Sequence, residues 1–229
     1  MVSVNGNKPT RPREDAKQSN PFAQIARVLQ TKPLAMSGIL SRLHTRGMLA
    51  ASPARQVAQA AIASRCGNNA EEGISFLDAL SRPVEPVRLY GPAAEAGGAC
   101  LLGAPDRMHL QGCDGFKSPP SLLRDLPERH SFVDLFEQLL LSSRKPAGGK
   151  SVHRSQGAKP GAAVITGHTA QITMRHASCM EIVRYTVPEE IAGMRKDVAQ
   201  FTGQTIALLA GLTEEHLVWR PAIAYTLCG

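Results

Sequence analysis

The sequence contains few aromatic residues, since phenylalanine, tyrosine and tryptophan together make up 4% of its 229 residues. Hydrophobic residues as a whole make up 43% of the chain, and alanine and glycine supply much of the nonpolar content. Small side chains bury little surface, so we expect a small core for this length and considerable irregular chain.

The five cysteines are widely separated, and no CxxC pair occurs, which excludes a zinc ribbon or a thioredoxin-type motif. Their odd number favours free thiols in a reducing compartment over a disulfide framework. The seven histidines form no HxH or HxxxH pair, so neither a metal site nor a cofactor is expected.

Long apolar segments are also missing. No run reaches the roughly 18 residues that a membrane-spanning helix needs, and no apolar stretch near Met1 resembles a secretory signal. These absences predict a protein of the cytoplasm or another reducing compartment. The basic, alanine- and serine-rich start also suits organellar targeting or bacterial effector secretion.

Acidic residues are absent from position 16 to position 70, while seven basic residues lie in this interval. The formal net charge of the whole chain is +7, so the N-terminal third carries essentially all of it. Such a segment attracts acidic protein surfaces, nucleic acid or anionic lipid, although a solvated basic face without a partner has the same composition. The predicted binding residues are Arg27, Lys32, Arg42, Arg46, Arg55 and Arg65. Phe22 is the only aromatic residue of the interval, which weakens the case for single-stranded nucleic acid.

The patterns along the chain predict an α+β protein, mostly helical, with a disordered basic tail and a C-terminal β-hairpin followed by a long helix. The predicted segments are a tail (1–19), a basic helical region (20–82), a mixed α/β segment (83–143), a flexible basic linker (144–162) and the hairpin-helix module (163–229).

Capping residues locate several of the predicted helices. Asn20-Pro21 and Ser52-Pro53 each combine a capping side chain with a proline suited to the first turn. A third helix is expected to end before Pro83. Ser131 is expected to cap a further helix with Asp134 at its third position.

The stretch ITMRHASCMEIVRYTVPEE, residues 172–190, contains two alternating segments that predict a β-hairpin. Pro188 then suits the first turn of a helix expected to continue to about residue 212. Its apolar residues recur at spacings of three and four and predict a seam that packs on the sheet or on a partner helix. The seam includes Ile191, Met194, Val198, Phe201 and Leu208.

A thiol-dependent enzyme is the alternative to an interaction protein. Cys100 and His109, on neighbouring predicted strands, are the candidate nucleophile and base, with Asp106 or Asp114 as the group that orients the histidine. The tripeptide GKS at 149–151 lacks the first glycine of a phosphate-binding loop and is interpreted as linker.

Two short stretches resemble known families. The segment RHASCMEIVRY resembles the histidine-to-tyrosine end of tyrosine recombinases, but it has Arg175 where that family has glycine. The segment LLAGLTEEHLVWRPAIAYTLCG, residues 208–229, resembles the end of the first helix and the following turn of DinB-like four-helix proteins. That resemblance implies a borrowed or truncated fragment, because the metal-binding histidines of the family would follow Gly229. The leading hypothesis is a non-catalytic interaction protein whose basic N-terminal region docks an acidic partner.

Overall fold

A computed structural model describes residues 21–92, 123, 125–144, 159–175, 179–192 and 198–213. The helices are α1 (Pro21–Val28), α2 (Pro33–Thr45), α3 (Pro53–Cys66), α4 (Ala70–Leu80), α5 (Phe132–Ser142), α6 (Glu189–Ala192) and α7 (Gly203–Ala210). The strands are β1 (Val87–Pro92), β2 (Lys159–Ile165), β3 (Thr169–Arg175), β4 (Cys179–Thr186) and β5 (Ala199–Thr202). These elements confirm the α+β class.

Side-chain caps start three of the helices, and those of Ser52 and Ser131 lie where the sequence predicts them, whereas the predicted Asn20 cap lies outside the described residues. The Ser52 side chain accepts a hydrogen bond from the backbone N–H of Arg55, and the Asn69 side chain accepts one from Glu72. Ser131 and Asp134 form the predicted capping box at the start of α5. Each cap satisfies a backbone donor that the helix itself leaves unpaired, so these starts are set by local chemistry.

Helices α3 and α4 approach each other so closely that the contact requires glycine. A Cβ atom added at Gly73 would lie 2.0 Å from the carbonyl oxygen of Ala63, and one added at Gly67 would lie 2.1 Å from the backbone nitrogen of Gly73. Both distances are far below van der Waals contact. The glycines therefore allow the two helix backbones to pack directly against each other.

The five strands form one antiparallel sheet in the order β1-β4-β3-β2-β5. The register places Ala163 opposite both Ile172 and Phe201, so these residues share one face of the sheet. That face belongs to the same buried apolar cluster as residues of α1 to α5 and α7. The helices thus cover one face of the sheet and bury a common core.

The predicted long C-terminal helix is wrong, because residues 199–202 form strand β5. Ala199 and Phe201 are buried, and they alternate with the exposed Gln200 and Thr202, which is the period of a strand that pairs with β2. The expected apolar seam is consequently divided among α6, β5 and α7. Val198 and Leu208 are 59% and 51% exposed, whereas Ile191 is partly buried and Met194 lies outside the described residues.

Two further differences concern the segments between the predicted elements. Strand β2 begins at Lys159, so the last four residues of the predicted linker, 159–162, belong to the sheet. Helix α2 was not predicted, because Pro33 was interpreted only as the end of the preceding helix. Pro33 in fact occupies the first turn of α2, a position that its fixed φ suits.

In the part of the chain that the structure describes, no helix combines the length and apolarity that crossing a membrane requires.

We predict that Gly73→Ala lowers the free energy of unfolding by about 2–3 kcal/mol, because its Cβ must displace the α3 backbone. Gly38→Ala on the exposed side of α2 is the matched control, since nothing lies within 4 Å of a Cβ added there. The control should stabilise the protein by about 0.5–1 kcal/mol through helix propensity. Urea denaturation of both variants measures the difference, and equal stabilities would contradict the close α3–α4 contact.

Candidate functional site

The structure divides the six predicted binding residues into groups with different surroundings. Arg27 and Lys32 are exposed, at the end of α1 and just before α2. Arg42, in the last turn of α2, and Arg46, the C-cap residue that follows the helix, are also exposed. The two arginines of α3 are partly buried, so they do not form part of the same open surface.

Arg42 and Arg46 both form ion pairs with one residue of α4, Glu71. The Arg42 side chain is 50% exposed, that of Arg46 is 47% exposed and that of Glu71 is 54% exposed. Two guanidinium groups thus share a single carboxylate, which leaves a local charge of +1. Each guanidinium has five N–H donors, so this pair keeps donor capacity that faces solvent.

Arg55 instead belongs to the contact between α3 and α5. Its guanidinium donates hydrogen bonds to Asp134 and, at 3.3 Å, to Glu137. The Ser52 hydroxyl donates a further bond to Glu137 at 2.7 Å. Arg55 is therefore neutralised by acidic residues that come much later in the chain, and the predicted basic surface is smaller than the sequence suggests.

An apolar groove of about 390 Å³ lies between α2 and the junction of α3 and α4. Of the twelve described residues that line it, Arg42 is the one with a charged side chain. Small side chains such as Ala35, Ala63 and Ala70 form much of its wall. Leu34, next to Ala35 on α2, is 87% exposed. The groove thus combines accessible apolar surface with a positive charge at its edge.

A wider polar groove of about 680 Å³ lies beside it, where the end of α2 meets α4 and α6. Arg46, Arg82 and Glu190 are among its lining residues. Arg42 lines the apolar groove, and Arg46, just after α2, lines the polar groove. We call the surface that comprises both grooves, with Arg42 and Arg46 between them, the α2–α4 face.

A second cluster of polar groups is buried where the start of α5 meets β4. Ser131 donates through its hydroxyl to Asp134 at 2.6 Å and accepts from the Asp134 backbone N–H at 3.0 Å. Both functions of the hydroxyl are thus used in the capping box. Ser131 therefore serves as a helix cap and is not available as a nucleophile.

Tyr185 packs edge-on against the rings of His130 and Phe132, with ring centroids 5.8 Å and 5.5 Å apart. The Nδ1 atom of His130 bonds the carbonyl oxygen of Pro127 at 2.8 Å. Among the described residues, neither the Nε2 atom of His130 nor the hydroxyl of Tyr185 has a hydrogen-bond partner. Burial, with a smaller contribution from the Asp134 carboxylate, raises the pKa of Tyr185. A buried, protonated tyrosine of this kind does not suit the nucleophilic role of the tyrosine in recombinases.

The residues of the thiol hypothesis, Cys100 and His109, lie outside the described residues, as do Asp106 and Asp114. Cys66, at the end of α3, is buried in the core. Within the described ranges, no group of three or more histidine, cysteine, aspartate or glutamate side chains is placed to hold a metal ion.

The sequence patterns did not predict the α2–α4 face, because helix α2 was not among the predicted helices. The recurrence of Met36, Ile39, Leu40 and Leu43 after Pro33 was the available signal, and all four residues are buried. The pairing of Arg42 and Arg46 with Glu71 had no comparable signal, since the acidic residue belongs to a different helix.

No protein-family model matches this chain, and no curated protein or solved structure does so either. The DinB-like resemblance therefore stays a prediction from residues 208–229. Of that segment the structure describes 208–213, where α7 ends at Ala210.

We predict that Asp134→Asn lowers stability at neutral pH by about 1–2 kcal/mol, because it weakens the cap and the bond to Arg55. Burial opposes ionisation of Asp134, but hydrogen bonds from Ser131 and Arg55 outweigh it and lower the pKa below its ordinary value of 3.8. The ionised form consequently stabilises the fold above this pH, and that contribution is lost as the pH falls through the lowered pKa.

The difference in stability between the wild-type protein and Asp134→Asn should therefore shrink below about pH 4. Urea denaturation at a series of pH values measures it. Glu128→Gln, on an exposed side chain beside the same helix, makes the same change of charge and serves as the control. A difference for Asp134→Asn that stays constant down to pH 2 would contradict the lowered pKa.

Proposed function

We propose that this protein is a non-catalytic interaction protein whose basic N-terminal helices dock an acidic segment of a partner protein. The observation that carries the proposal is the arginine pair of α2. Arg42 and Arg46 share Glu71, remain about half exposed and lie between two open grooves. The surface therefore offers unsatisfied positive charge beside accessible apolar area.

An acidic polypeptide fits this surface better than a nucleic acid does. Single-stranded nucleic acids usually stack their bases on aromatic side chains. No phenylalanine, tyrosine or tryptophan is among the described residues that line either groove. An acidic polypeptide needs no such stacking surface, because its carboxylates can bond the guanidinium groups directly.

The ion pairs on this surface do not prevent binding. An exposed ion pair contributes only about 0–1 kcal/mol to stability, so its partners can be exchanged at small cost. An incoming carboxylate can share the two guanidinium groups with Glu71 or replace it. Binding driven in this way should weaken as salt screens the charges.

We predict that the full chain binds polyglutamate and that the double variant Arg42→Gln/Arg46→Gln binds it about tenfold more weakly, a loss of about 1.4 kcal/mol. The control Arg129→Gln/Arg175→Gln removes the same charge at two other exposed positions and should change the affinity less than about threefold. Fluorescence anisotropy at two salt concentrations provides the measurement. Equal losses in the two double variants, affinity independent of salt, or stronger binding to single-stranded DNA than to polyglutamate would overturn the proposal.

A further inference from the structure

We infer that the α2–α4 face binds an amphipathic helix of the partner protein that carries two carboxylates four residues apart and one large apolar side chain nearby. The inference rests on the proposed function. It adds the conformation of the bound segment and the sequence pattern that the surface selects.

The positions of the arginines supply the first argument. Arg42 lies in the last turn of α2 and Arg46 is its C-cap residue, four positions later, which separates their Cα atoms by about 6 Å along the axis. Glutamates four residues apart on a second helix have the same spacing and also lie on one face. A helix packed alongside α2 can therefore present one carboxylate to each guanidinium.

The apolar groove supplies the second argument. It adjoins Arg42, and its lining residues Ala35 and Gly38 have the smallest side chains, so no bulky side chain of α2 fills this space. No atom of the described residues lies within 4 Å of a Cβ added at Gly38, so a partner side chain has room beside it. Leu34 is exposed one turn before Gly38 on the same helix, which places further apolar surface next to this position. One large apolar side chain, next to the acidic pair on the partner helix, would fill this space.

The surrounding backbone favours a helix over an extended segment. The groove is formed by helices α2, α3 and α4 and the turns between them, and no strand edge lines it. The helix interiors already use their own N–H and C=O groups, so an extended peptide would find few partners for its backbone. A bound helix satisfies those groups internally. The segment from Ala35 to Arg46 extends about 16 Å along the helix axis, since eleven residues each add about 1.5 Å. This length suits a partner helix of about three turns.

The experiment is selection from a phage-displayed library of random 16-residue peptides on the full chain, followed by synthesis of the enriched peptides. We expect enriched sequences with two acidic residues four apart and a large apolar residue within one turn of them. Circular dichroism should show that these peptides gain helix on binding. Anisotropy should show at least tenfold weaker binding to Arg42→Gln/Arg46→Gln.

Gly38→Gln tests the apolar groove separately from charge. Its side chain should occupy the mouth of the groove and weaken peptide binding at least tenfold, while urea denaturation shows an unchanged or higher stability. Gly38→Ala adds only a methyl group and should bind within about threefold of the wild-type protein.

Three results would overturn this inference: no peptide is enriched, the enriched peptides lack the acidic pattern, or Gly38→Gln binds them as well as Gly38→Ala does. The proposed function is judged separately by polyglutamate binding. If polyglutamate still depends on Arg42 and Arg46 while Gly38→Gln has no effect, docking through charge stands and the helical mode is wrong. If binding of polyglutamate and binding of the selected peptides are both independent of Arg42 and Arg46, the proposed function and the helical binding mode are both wrong.

Discussion

The packing of α5 against both the sheet and α3 is the contact on which the rest of the structure depends. Phe132 and Phe136 on α5 contact Tyr185 and Phe201 of the sheet, with the Phe136 and Phe201 centroids 5.2 Å apart. The opposite side of α5 carries the carboxylates that pair with Arg55 of α3. One helix of eleven residues thus joins the N-terminal helices to the sheet through aromatic packing and ionic contacts. Four of the ten phenylalanine, tyrosine and tryptophan residues of the sequence meet at this contact.

Charge in this protein is compensated between elements that are distant in sequence. Arg55 bonds Asp134 and Glu137, which lie 79 and 82 residues later. Arg46 bonds Glu71, which lies 25 residues later. The interval without acidic residues is therefore only partly unbalanced in the folded state. Arg27 and Lys32 also remain exposed, but of the basic residues in this segment only the two arginines that share Glu71 are found among the described residues that line the two grooves, which distinguishes this surface within the basic segment.

Local sequence chemistry predicted the starts of two of the helices that begin with a capping side chain. The starts of α3 and α5 followed from Ser52 and from the Ser131–Asp134 capping box, and the β3–β4 hairpin followed from its alternation. Elements that depend on distant partners were not predicted in this way. The apolar residues around Phe201 have spacings of three and four that favour a helix, but pairing with β2 imposes a strand. The α2–α4 face could not be predicted from one segment, because three helices and their order in space create it.

The separation between Arg55 and its partners also has a consequence for synthesis on the ribosome. At about 5–20 residues per second, roughly 4–16 seconds pass between the appearance of Arg55 and that of Glu137. Helices α1 to α4 are complete once Leu80 has been synthesised, but the α3 surface that α5 later covers still has no partner. Strand β1 lacks its partner strand for a longer time, since Val87 pairs with Arg184, which is synthesised 97 residues later. The nascent chain therefore spends seconds with apolar helix faces exposed, and a chaperone that shields them would act before α5 emerges.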